Sequence, residues 1–170
     1  MVQEAPIILL LTPRMMAAST IQFTGDQARR FAGVSPEAWR HWRKAVVYLA
    51  AKHGKAARFS VGEIVALSVI AESVGRLGIG VGRLSMGWDE LFRLCAVQRP
   101  SALRGLVAVV TADGATLVGT DTHAVQTGPA VVVPCEPIVE RLLTAAFLEN
   151  VAREQPSLPF PPRVVAGQPR

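Results

Sequence analysis

Cysteine is almost missing from this chain. Cys95 and Cys135 stand forty positions apart, and neither has a Cys or His neighbour at metal-ligand spacing. That excludes a zinc knuckle and a disulfide framework. The pair reads as two buried, reduced thiols, with a disulfide or redox pair as the alternative. Aromatic residues make up only 6% of the sequence, so Ala, Val and Leu must carry most of the packing. A long apolar run is also lacking. Ile7 to Leu11 is too short to span a bilayer and lies between Pro6 and Pro13. Glu4 stands where a signal peptide would carry Lys or Arg, so the run reads as neither signal nor anchor. It is left as a strand added to a sheet elsewhere, or as a tail for a partner. Catalytic patterns are missing too. His41, His53 and His123 are scattered, and no Gly-rich phosphate loop, paired carboxylates or nucleophile elbow appears. No enzyme, metal or cofactor is expected.

What remains is basic charge, and it is localised. Arg29, Arg30, Arg40, Arg43, Lys44, Lys52, Lys55 and Arg58 fall in one window whose single acid is Glu37, a local charge of +7. The whole chain carries +5, which leaves −2 for everything else. A concentrated positive segment points to nucleic acid or another polyanion.

Helix punctuation is dense in that window. Thr24 and Gln27 have capping-box spacing, so a helix starts there and ends at Gly33. Ser35-Pro36 opens a second helix: serine caps it and proline suits its first position. Helix, glycine turn and helix within about twenty residues is the layout of a helix-turn-helix. Trp39 and Trp42 are placed to anchor the second helix. Trp39 is expected in the core near Leu67, and Trp42 under the following segment or against a sugar-phosphate face. That following segment, 46–60, reads as a β-hairpin with a basic tip at His53-Gly54, a wing. Ser60 and Glu63 form a second capping box that opens a helix over 61–77, with shorter helices near 80–85 and 88–97.

The pattern changes after Arg99-Pro100-Ser101. Two β-branched runs flank Asp113-Gly114, a strong hairpin signal, and a third run covers 130–134. A helical stripe including Ile138 and Leu142 returns from Glu136. The expected fold is mainly α with small β elements. It divides into an arm (1–22), a winged helix-turn-helix domain (23–98), a small α+β module (103–152) and a Pro-rich tail (153–170). A module of fifty residues makes a thin core, so homodimerisation through it is expected.

The residues also resemble a family. Ala28-Arg29, Gly33-Val34-Ser35, Trp39-Arg40-His41-Trp42 and Arg58-Phe59-Ser60, followed by Leu77-Gly78, resemble the winged helix-turn-helix domain of MerR-type transcriptional regulators over about 23–84. Trp39 stands where the family carries Leu, and His41 where it carries a Tyr that touches the DNA backbone. A strand-rich stretch replaces the family's long dimerisation helix. The resemblance implies binding of double-stranded DNA by a cytoplasmic, nucleoid-associated regulator. Ser35, Pro36 and Glu37 at the head of the second helix would lie deepest in a major groove. There Glu37 either accepts from a cytosine amino group or merely suits the helix dipole. Arg40, Arg43 and Lys44 would follow along the helix, and His41 would donate to the backbone or stand by. Lys52, Lys55 and Arg58 would meet flanking phosphates or an adjacent minor groove, and Thr24 and Arg29 complete the set. An architectural DNA-bending protein, and an adaptor or antitoxin that has lost DNA binding, are the alternatives.

Overall fold

Two short antiparallel sheets and seven helices are distributed over residues 21–121 and 128–152, the part of the chain that the computed structural model describes. The apolar run 7–11, the segment around His123 and the Pro-rich tail lie outside the described residues. The chain is mainly helical.

Strand β1 (Gln22–Thr24) leads into helix α1 (Gly25–Phe31) through the expected capping box. The Thr24 hydroxyl accepts from the Gln27 amide, and the Gln27 side chain accepts from the Thr24 amide at 2.9 Å. The helix ends at Gly33, whose φ of 68° puts it in the left-handed region. The Gly33 amide reaches the Arg30 carbonyl and the Val34 amide reaches that of Arg29, which closes the last turn. Helix α2 (Pro36–Ala45) starts with Ser35 capping the Ala38 amide.

The next stretch departs from expectation. Residues 46–60 do not form a hairpin. Val47–Ala51 is a short helix, α3, and β2 (Arg58–Ser60) pairs with β1 rather than with 46–51. The reason is tertiary. Asp89, forty-one residues on, accepts from the Tyr48 amide at 2.7 Å and so supplies the cap that the local sequence lacks. The Tyr48 ring then stacks on Phe92 at 4.9 Å. These contacts override the β-propensity of Val46-Val47-Tyr48.

Helix α4 (Val61–Leu77) is the axis of the fold. Its start follows the Ser60/Glu63 capping box, and Gly78, at φ 64°, ends it. Residues 62–70 are buried all round, because α4 packs against α1, β2, α5 (Ser85–Ala96) and α7 (Glu136–Ala152). A 3₁₀ turn (Val81–Leu84) precedes α5, and its Val81 carbonyl accepts from the Trp88 indole. The two tryptophans of α2 exchange their expected places. Trp42 is the core residue, 4% exposed, with α2 packed on the 3₁₀ turn. Trp39 is half-buried, edge-on to Phe59 at 5.9 Å.

Helix α6 (Pro100–Leu103) fills the stretch read as a boundary. Strands β3 (Leu106–Val110), β4 (Ala115–Gly119) and β5 (Val131–Pro134) follow, in the order β4-β3-β5 and all antiparallel. The turn at Asp113-Gly114 closes through the Thr111 amide on the Gly114 carbonyl. Ala108, Val110, Val131 and Val133 join Cys135, Ile138 and Val139 in the same hydrophobic cluster as Trp42 and Leu67. Arg141 of α7 pairs with Glu72 of α4 at 2.9 Å. The C-terminal strands and α7 thus share one buried cluster with the N-terminal helices.

Close helix packing sets one prediction. A Cβ on Gly62 would lie 1.9 Å from the Cys95 carbonyl oxygen, whereas Gly75, on the same helix, has nothing within 4 Å. Gly62→Ala should therefore destabilise by about 1–3 kcal/mol as α4 and α5 are forced apart. Gly75→Ala should stabilise by about 0.5–1 kcal/mol. Urea midpoints of the two variants decide it, and equal midpoints would contradict this packing.

Candidate nucleic-acid interface

Helix α2 presents a charged stripe on its outward side. Glu37, Arg40, His41 and Lys44 are all exposed, at i, i+3, i+4 and i+7, while Trp42 faces the core. That spacing is one helical stripe. Arg40, His41 and Lys44 make no ion pair or side-chain hydrogen bond among the described residues. Ser35 and Pro36 are exposed at the head of the stripe. The Glu37 carboxyl is held below the ordinary carboxylate range by its own backbone amide, then by the Ser35 hydroxyl, with Arg40 and Arg29 adding. It is charged at neutral pH and can only accept.

The other basic candidates divide by what they touch. Arg29 is built into the turn: its Nη1 donates to the Val34 carbonyl at 2.8 Å, and Asp26 lies 4.0 Å from its Nε. Thr24 is occupied as a cap. Lys52 is bound inward. Its Nζ pairs with the Glu63 carboxylate, donates to the Arg58 carbonyl at 2.7 Å and sits over the Phe59 ring at 4.9 Å. Arg58 is exposed, but its Nη1 donates to the Lys55 and Ala57 carbonyls and so stiffens its own loop. Lys55 is exposed at the loop tip, and Lys44 at the end of α2.

Glu63 is the residue that composition alone did not single out for this region. It is 3% exposed. Its Oε2 accepts from the Ser60 amide at 2.7 Å and its Oε1 from the Tyr48 hydroxyl at 2.6 Å, beside the Lys52 pair. Burial opposes its charge, yet Lys52, Tyr48 and Ser60 outweigh that and hold its pKa below the usual range. Burial and the bond to Glu63 push the Tyr48 phenol up. The only early sign of Glu63 was its place in the capping box.

Between α2 and the loop 52–57 lies a crevice of about 520 Å³. Trp39 and Phe59 supply its apolar wall, and Arg43, Lys52 and Lys55 its cations. Among the described residues the Arg43 Nε is buried without a hydrogen-bond partner.

Elsewhere the chemistry is sparse. Among the described residues, no group of three His, Cys, Asp or Glu is placed to hold a metal. Cys95 and Cys135 are buried and not bonded to each other. Burial pushes the Cys95 thiol up to about 12, with Cys135 adding to the shift. Burial likewise pushes Cys135 up to about 11 against a hydrogen bond from the Ala108 backbone. Neither is a reactive thiolate at neutral pH. No helix among the described residues is long and apolar enough to cross a membrane. Comparison with protein-family models, with curated proteins and with solved structures finds no match to this chain.

The Glu63 network makes stability pH-dependent. A carboxyl with a depressed folded-state pKa stabilises the fold above its unfolded value, near 4.5. That contribution is lost as pH falls through the folded value. Glu63→Gln keeps one of the two acceptor oxygens and loses the charge that pairs with Lys52, so it should cost about 1–3 kcal/mol at pH 7. The gap should close in acid as wild-type Glu63 protonates. Urea unfolding of both proteins at pH 7 and pH 3 measures this, and a gap that widens in acid would contradict the assignment.

Proposed function

We propose that the chain is a sequence-specific, double-stranded-DNA-binding regulator built on a winged helix-turn-helix of the MerR type. One observation carries the reading: the stripe Glu37, Arg40, His41, Lys44 on α2 faces solvent, while the opposite side of the helix is fixed by Trp42. A rigid helix with outward donors and one acceptor has the form of a recognition helix. Its N-terminal end, Ser35 to Glu37, enters the major groove. Glu37 accepts from a cytosine amino group, and Arg40 reaches a guanine edge or a phosphate. His41 and Lys44 donate to the backbone on either side. The loop 52–58 takes the place of the wing, and Lys55 is its outward charge.

Several features support this reading. The turn between α1 and α2 is closed by backbone bonds and by Arg29, so the two helices hold a fixed angle. The basic window stands out against an otherwise acidic chain. A nucleoid-associated location follows from DNA binding, and a homodimer would place two recognition helices on a two-fold operator. In such a dimer the exposed Val132 on β5 offers apolar surface on the C-terminal part.

The test is selection from a randomised 30-bp duplex pool with the purified protein. The expected result is an enriched motif, with Arg40→Ala weakening the selected duplex by about 1–3 kcal/mol. A pool that enriches nothing, or enriches equally with the variant, would sink sequence-specific reading by α2. It would turn attention to an adaptor role.

A further inference from the structure

Away from the basic surface, where β1 and α1 meet α4 and α7, lies a cavity lined only by apolar side chains among the described residues. Phe23 and Phe31, in edge contact at 5.2 Å, come from the N-terminal side, Val61 from α4, and Leu142 and Leu143 from α7. Ile21 and Leu143 stand at it 65% and 39% exposed, so it opens to solvent. Its free volume is about 40 Å³. Small-molecule pockets run to about 300–1,000 Å³ and carry a few polar groups that orient the ligand. This cavity has neither the size nor the polar groups. Nor does it offer water the partners that ordered water needs. It fits the end of one aliphatic side chain, which makes its occupant a piece of polypeptide.

We infer that the occupant is the apolar run Ile7 to Leu11 of the same chain, with one side chain inserted and the others lying over Ile21 and Leu143. Ile21 both lines the cavity and is the first described residue, so the chain leading back to the run starts at the cavity itself. Leu11 lies ten positions before Ile21, a span of at most about 33–36 Å, so the run can fold back that far. A short tether of this kind gives an effective concentration in the millimolar range, which a second copy in dilute solution does not match. The chemistry also fits. The run is five aliphatic residues without charge or hydroxyl, so any face of it offers a branched side chain. Met15 and Met16 are nearer to Ile21, but they are unbranched and follow Arg14. Seated in this way, the run adds an apolar fastening to the Arg141–Glu72 pair that links α7 to α4. It also backs Phe31, the last residue of α1 before the Gly33 turn. The inference does not depend on what α2 binds.

The test uses the full chain carrying a nitroxide. Cys95 and Cys135 are buried, so a thiol reagent is directed to Thr12→Cys, beside the run. Paramagnetic broadening of backbone amides is then read in three forms of the labelled protein: otherwise wild type, with Leu9→Asp/Leu10→Asp, and with Met15→Asp/Met16→Asp. Adjacent residues of an extended segment point to opposite sides, so the first double charges both faces of the run. None of these substitutions touches a residue of the described core. The expected result is loss of the amide signals of Leu142, Leu143 and Ala146, restored by the first double and not by the second. The tether has the same length in all three forms, so the difference reports docking rather than proximity.

Leu143→Asp supplies the reciprocal change at an exposed position of the cavity, and it should restore the Leu142 and Ala146 signals as the first double does. Signals that stay sharp in otherwise wild-type protein overturn the proposal. So does broadening that Leu9→Asp/Leu10→Asp leaves unchanged, or that Met15→Asp/Met16→Asp relieves as fully. A mixture of nitroxide-labelled chains with isotope-enriched, unlabelled chains separates the two possible hosts. Enriched signals that remain sharp there support a seat within one chain. Broadening of Leu142 and Leu143 in the mixture would place the run in a second copy and overturn it.

Discussion

The buried carboxylate of Glu63 ties three segments of this fold to the start of its central helix. It caps the start of α4, accepts the Tyr48 hydroxyl and pairs with Lys52. Each partner comes from a different segment: Ser60 from β2, Tyr48 from α3, Lys52 from the loop between them. A buried carboxylate is tolerated only when its acceptor sites are met. Here that requirement ties three segments to the N-terminus of the central helix. Lys52 in turn donates to the carbonyl of Arg58, which itself pairs with Thr24 of β1. The loop 52–57 is thereby held against α2, and the crevice between them exists because of it.

That constraint divides a basic window that looks uniform in sequence. Arg29 closes the turn before α2, Lys52 balances Glu63 and Arg58 braces its loop. Arg40, His41 and Lys44 are left outward on a helix that Trp42 anchors. Positive charge that neither pairs nor packs contributes little to stability, and it leaves a surface suited to a polyanion. The proposed mode of DNA binding follows from this division more than from the net charge.

Much of the frame was legible because its signals are local. Thr24 with Gln27, Ser35-Pro36, Gly33, and Ser60 with Glu63 fix helix ends through groups within five residues of each other, and α4 spans 61–77 as the capping box and Leu77-Gly78 imply. Asp113-Gly114 marks its hairpin in the same way. The illegible parts depend on distant partners. Val47–Ala51 is a helix rather than a wing strand because Asp89 caps it from α5. Trp39 and Trp42 share a face at i, i+3, and their order of burial is set by what covers each. The 3₁₀ turn packs on α2, whereas Trp39 lies at the edge of the core, against Phe59 and the crevice. Lys52 and Lys55 read alike as loop cations. Only the fold shows that one faces a buried carboxylate and the other does not.

The outward stripe of α2 is the proposed DNA-facing surface. The most direct measurement is backbone amide chemical-shift mapping of the labelled protein against a short random-sequence duplex at low salt. Shifts should concentrate at Glu37, Arg40, His41 and Lys44 and extend to the loop near Lys55, with β3 and β4 silent. Shifts confined to the sheet, or none at all with duplex in excess, would contradict it.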